Sequence, residues 1–116
     1  MAIIVQNLTA TPNTLTVGDN SVSFSYEGFV DDNNENPVIA TVTLDDPAAP
    51  LFFTATGTKK ITLPPKKFSV NAFQTMTDVL DITLTASGGG VTPCQVTFVF
   101  TTKSGSTATV FAFLFY

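Results

Sequence analysis

Ser21-Val22-Ser23-Phe24-Ser25-Tyr26 decides the fold class. Apolar and hydroxyl side chains alternate here with period two, the pattern of a strand that buries one face and wets the other. No helical stripe fits this stretch. The same alternation recurs on both sides of it.

Upstream, Gly18-Asp19-Asn20 reads as a turn, preceded by a strand over Ile3–Leu8 and, after a Pro12-Asn13 turn, its continuation through Leu15 and Val17. Downstream, Gly28 and the polar run Asp31–Asn36 read as a long loop closed by Pro37. Val38, Ala40, Val42 and Leu44 then point inward, with Thr41 and Thr43 facing out. Leu51–Thr56 and Lys60–Leu63 are expected as short strands around Gly57, and Phe68, Val70 and Ala72 as another. Pro64-Pro65 donates no backbone N–H and interrupts any ladder there.

Leu80, Ile82 and Leu84 form a further inward row, and Ser87-Gly88-Gly89-Gly90 the loop after it. Cys94, Val96, Phe98 and Phe100 make the next row, and Lys103-Ser104-Gly105-Ser106 a hairpin tip that returns the chain through Ala108 to Tyr116. The expectation is an all-β, antiparallel β-sandwich of seven to nine strands in Greek-key order. It forms one domain over residues 1–116.

Composition agrees. The chain of 116 residues holds 20 threonines, 12 valines, five isoleucines and 13 aromatic residues, types that suit a pleated surface and exclude an all-helical protein. Five basic against nine acidic residues give a net charge of −4, which speaks against a phosphate-tracking surface, so no nucleic acid is expected as partner. No apolar run is long enough for a membrane-spanning helix, so no membrane span is expected. Met1–Asn7 lacks the basic region and apolar core of a signal peptide, leaving a chain made in the cytosol or one whose leader has been removed.

Chemistry is restricted further. With no His, the commonest general base and zinc ligand are absent, and Cys94 alone cannot form an intrachain disulfide. Its place at the start of a strong strand reads as a structural thiol rather than a nucleophile. Glu27 and Glu35 have no evident partner for a hydrolytic pair, and Asp78 and Asp81 fall on opposite faces of a regular strand. The chain is expected not to be an enzyme and to need no cofactor, calcium being the one ion to consider.

Asn7-Leu8-Thr9-Ala10-Thr11-Pro12-Asn13-Thr14-Leu15-Thr16-Val17-Gly18-Asp19, a strand, a proline turn, a second short strand and a Gly-Asp turn, leads into Val22-Ser23-Phe24. This entry resembles that of immunoglobulin-like domains found in bacterial surface proteins and bacteriophage virion proteins. The resemblance is one of pattern over the whole length. It implies an immunoglobulin-like β-sandwich serving as a binding, spacer or assembly module, without the disulfide and core tryptophan of antibody domains.

Three features are candidates for function. Asp31, Asn33 and Glu35 place oxygen ligands at alternate positions, as calcium favours, although Asn36 and Val42 stand where an EF-hand requires Gly and Glu. The alternative is a solvated loop. Lys59, Lys60, Lys66 and Lys67 are four of the five basic residues; they either guard exposed strand edges against aggregation or dock on a negative partner.

The third is the last strand. Val110, Ala112, Leu114 and Tyr116 share one face, and Phe111, Phe113 and Phe115 the other. One face of a strand buries; the second row then needs cover from elsewhere in the chain or from another subunit. These features lead to a non-enzymatic structural module whose partners are other protein subunits, copies of itself included. An auxiliary or decoration component of a phage or virus capsid or tail fits best, with the virion as its location. The alternative is a carbohydrate- or protein-binding module of a bacterial cell-surface or secreted protein.

Overall fold

The computed structural model describes residues 2–44, 58–63, 74–76, 82–86, 90 and 92–116. Its strands are β1 (Ile3–Thr11), β2 (Gly18–Val30), β3 (Val38–Leu44), β4 (Thr58–Ile61), β5 (Gln74–Met76), β6 (Ile82–Ala86), β7 (Pro93–Thr101) and β8 (Thr107–Phe115). A single 3-10 turn, Asn33–Glu35, separates β2 from β3. The pairing is antiparallel and divides into two sheets. One has the order β1-β2-β5, with β6 pairing the first part of β2; the other runs β4-β3-β7-β8. The all-β expectation holds at this level.

The alternating rows join the sheets through one buried cluster. Phe24 and Tyr26 come from β2, and Cys94, Val96, Phe98 and Phe100 from β7. The Phe24 and Phe98 ring centroids lie 4.7 Å apart, and those of Tyr26 and Phe100 5.2 Å apart. Such tilted pairs add to the burial of two large apolar surfaces. Cys94 is buried within this cluster and forms no intrachain disulfide.

Two expected breaks are in fact strand. Gly18-Asp19-Asn20 opens β2 and pairs with Ala86, Thr85 and Leu84. The reversal lies just before it, where the Asn20 side chain does the work of a turn. Its Oδ1 accepts from the Thr16 N–H at 3.0 Å and the Thr16 hydroxyl at 3.2 Å; its Nδ2 donates to the carbonyls of Thr16 at 2.8 Å and Gly18 at 3.0 Å.

Gly28, read as the start of a loop, is a buried strand residue opposite Val5. A Cβ there would stand 2.9 Å from the Ile4 carbonyl oxygen, so the glycine lets β1 approach rather than ending β2.

β1 also runs further than Leu8, to Thr11, because a bulge resets its phase. Gln6 pairs with Glu27 but Thr9 with Ser25, so β1 carries one extra residue between them. Asn7 lies there at φ 56°, a left-handed conformation that Asn tolerates. Inward positions are Ile3 and Val5 before the bulge, and Leu8 and Ala10 after it.

Leu63 is fully buried just beyond β4, where the Asn36 amide holds both of its backbone groups: Leu63 N–H donates to Asn36 Oδ1 and Asn36 Nδ2 to the Leu63 carbonyl, each at 3.0 Å. The strands expected over Leu51–Thr56 and Phe68–Ala72 lie outside the described residues.

Candidate interface along the last strand

β8 pairs with β7 along its whole length, from Pro93↔Phe115 to Thr101↔Thr107. Ala112 and Leu114 turn into the core, and Tyr116 is buried beyond them. The opposite row lies on the outer face, where Phe111 is 53% and Phe113 52% exposed. Phe115 is half-buried. Half of an aromatic side chain is roughly 100 Å2, so covering each exposed ring would contribute about 2 kcal/mol.

Among the described residues, the positions beside these rings are uncharged. Across β7 and β3, successive registers place Gln95 beside Phe113, Thr97 and Thr43 beside Phe111, and Val99 and Thr41 beside Thr109. A groove of about 260 Å3 runs along the β8 edge, with Leu8, Thr9, Ala10 and Asn13 on one side and the three phenylalanines on the other.

Among the described residues, the edge itself is used at one place. Phe115 N–H donates to the Asn13 carbonyl and Leu15 N–H to the Phe115 carbonyl, both at 2.8 Å, a parallel bridge centred on Thr14 and Phe115. Backbone groups of alternate strand residues point the same way. The N–H and C=O of Phe113, Phe111 and Thr109 therefore point out along the same edge as those of Phe115. Among the described residues, no strand takes them up.

Of the candidate lysines, the two described ones lie elsewhere. Lys59 and Lys60 are on β4, opposite Ala40 and Ile39, at the other edge of the same sheet. Lys60 is exposed. Lys66 and Lys67 fall outside the described residues, as does Asp45-Asp46. The phenylalanines and the Lys59-Lys60 pair thus occupy opposite edges rather than one patch.

The acidic run is organised by its own hydrogen bonds. Asp32 caps the 3-10 turn, its Oδ1 accepting from Asn34 N–H at 2.8 Å. Asn33 Oδ1 accepts from the Asn36 amide at 3.0 Å, and Glu35 Oε2 from the Ser104 hydroxyl at 2.6 Å. Lys103 N–H also donates to the Glu35 carbonyl, at 2.9 Å, so the loop clasps the β7–β8 hairpin tip. Asp31 is exposed, its N–H bonded to the Ala2 carbonyl. Among the described residues, no group of three or more acidic, histidine or cysteine side chains is placed to hold a metal ion. Glu27 accepts from Gln6 at 3.1 Å and Asn7 at 3.2 Å, partners that sequence spacing did not suggest.

The hydrogen bonds from Ser104 and then Thr102 hold the Glu35 carboxyl below its ordinary value of 4.5, outweighing partial desolvation and the nearby Asp32 charge. A carboxyl lowered in the folded state stabilises above its ordinary value and loses that contribution as pH falls through its folded value. The clasp between loop and hairpin tip should therefore loosen in acid. NMR titration is expected to give Glu35 a midpoint below 4.5, moving upward in Ser104→Ala. An ordinary midpoint in the unmodified chain would refute the side-chain bonds to the Glu35 carboxyl, not the backbone bond from Lys103.

The Ser104–Glu35 and Asn36–Leu63 contacts had no sequence signal, since each joins residues far apart in the chain. Among the described residues, no helix is long and apolar enough to cross a membrane. Comparison with protein-family models, curated proteins and solved structures finds no match for the chain.

Proposed function

We propose that the chain is a non-enzymatic assembly module, built as an immunoglobulin-like β-sandwich in Greek-key order, that contacts other protein subunits through the outer face of β8. The strand orders β1-β2-β5/β6 and β4-β3-β7-β8, with both sheets contributing to one core, support the architecture. The observation that carries the function is the half-exposed pair Phe111 and Phe113 on a face whose neighbouring positions, among the described residues, are uncharged. Large aromatics beside small polar residues, with Lys59 and Lys60 at the opposite edge of the sheet, match the composition of interface centres. A capsid or tail component of a phage or virus particle is the setting we favour, with Phe115 flanking the contact.

A photoreactive phenylalanine analogue at position 113, introduced in the cells or particles that carry the protein, tests this directly. Cross-links to a defined polypeptide are expected from position 113 and not from position 23, exposed on β2 of the other sheet. Equal, diffuse labelling from both positions would refute the reading.

A further inference from the structure

We infer that the subunit meeting this surface is a second copy of the chain, added antiparallel to the open edge of β8. This rests on the assembly reading above and names its partner. The edges of the two sheets are unlike. β4 carries Lys59 and Lys60, and β1 is broken by the bulge at Asn7; both are devices that discourage strand addition. β8 has neither. From Thr107 to Phe115 it contains no charge and no proline, and its ladder with β7 is unbroken.

The chain itself begins to extend this edge. Asn13 and Leu15 bond to Phe115, and the extension stops there, leaving the outward backbone groups of Thr109, Phe111 and Phe113 without a strand among the described residues. The open run, Thr107–Phe113, is centred on Val110. A two-fold axis through Val110 pairs it with itself. Thr109 then meets Phe111 of the second copy, and Thr107 meets its Phe113, twice each by symmetry. All four pairs join residues whose backbone groups point outward, so N–H and C=O groups are exchanged in register.

Each is also an aromatic–threonine pair, a favourable cross-strand combination, and no like charges are opposed. The groove beside Leu8 and Ala10 receives the Thr107 end of the added strand. The contact is small beside a standard interface, so the dimer should depend on concentration.

Sedimentation over a concentration series tests the inference. The unmodified chain is expected to pass from monomer to dimer. Thr109→Pro should remain monomeric with unchanged circular dichroism and unfolding midpoint, because the lost N–H points away from β7. Val110→Cys should give a disulfide-linked dimer under mild oxidation, whereas Thr97→Cys, away from the axis, should not. A monomer at every concentration overturns the inference, as does a dimer that survives Thr109→Pro. Should Thr109→Pro fail to fold, absence of the Val110→Cys cross-link overturns it instead. In any of these cases, photo-cross-linking from position 113 to a different polypeptide would leave the assembly reading standing; loss of that cross-linking would remove the reading as well.

Discussion

Phe98→Ala is expected to remove about 3–5 kcal/mol of stability, a large part of what an ordinary domain possesses. The ring is fully buried and is shared between neighbours: its centroid lies 4.7 Å from that of Phe24 in the other sheet and 6.3 Å from that of Phe100 on its own strand. Alanine would leave a void bordered by two large rings, which strands pinned on both sides cannot easily fill. β7 is held between β3 and β8, so the backbone has little room to collapse. Urea unfolding should show the midpoint falling at nearly unchanged slope, and the thermal midpoint should drop by roughly 15 °C. Phe98→Leu should cost distinctly less. A drop of less than about 1 kcal/mol for alanine would mean that the two sheets are not joined through this ring.

Asn20→Ala is expected to cost about 2 kcal/mol, by a different route. Asn20 is only 9% exposed, and its amide satisfies the backbone of the reversal before β2. Removing it deprives Thr16 N–H, the Thr16 carbonyl and the Gly18 carbonyl of a shared partner. Water can reach Thr16, which is exposed, and this keeps the cost below that of fully buried orphans. Asn20→Asp keeps the acceptor but loses both donations, so it should fall between the two. Amide exchange at Thr16 is the sensitive reading: it should accelerate strongly in Asn20→Ala while exchange at Phe98 follows only the global loss of stability. Unchanged exchange at Thr16 would show that the side chain does not hold the reversal.

Much of the strand content was legible because burial imposes period two on side chains. The rows through Phe24 and Tyr26, through Val38 and Ala40, and through Cys94 to Phe100 all turn inward as their alternation requires. Glycine was the misleading letter. Gly18 and Gly28 both resemble turn residues, yet one opens a strand and the other makes room for Ile4. Only the position of a neighbouring chain separates those roles, and that is non-local information.

The β1 bulge was hidden for the same reason. Ile3, Ile4, Val5 and Leu8 are compatible with more than one phase, and the slip shows only against β2.

For the candidate sites, the two faces of β8 could be read in advance because they follow from alternation alone. The open edge beside Phe111 could not, since it depends on where Asn13 and Leu15 attach. The alternating oxygens of Asp31, Asn33 and Glu35 resembled a ligand array. The structure gives the Asn33 and Glu35 oxygens to Asn36 and Ser104, partners that a linear spacing rule does not weigh.

The short parallel bridge between Thr14 and Phe115 also has a mechanical consequence. Consider tension along the backbone that has already peeled β1 back to Pro12. It then pulls Asn13 in one direction while Tyr116 is drawn in the other. Because these segments run parallel, they slide past each other, and the two bonds to Phe115 bear the load together. An antiparallel attachment would open like a zip, one bond after another. Resistance to force is set by the height of the unfolding barrier rather than by equilibrium stability. Two bonds of little weight in the energy balance can therefore decide how hard this chain is to stretch.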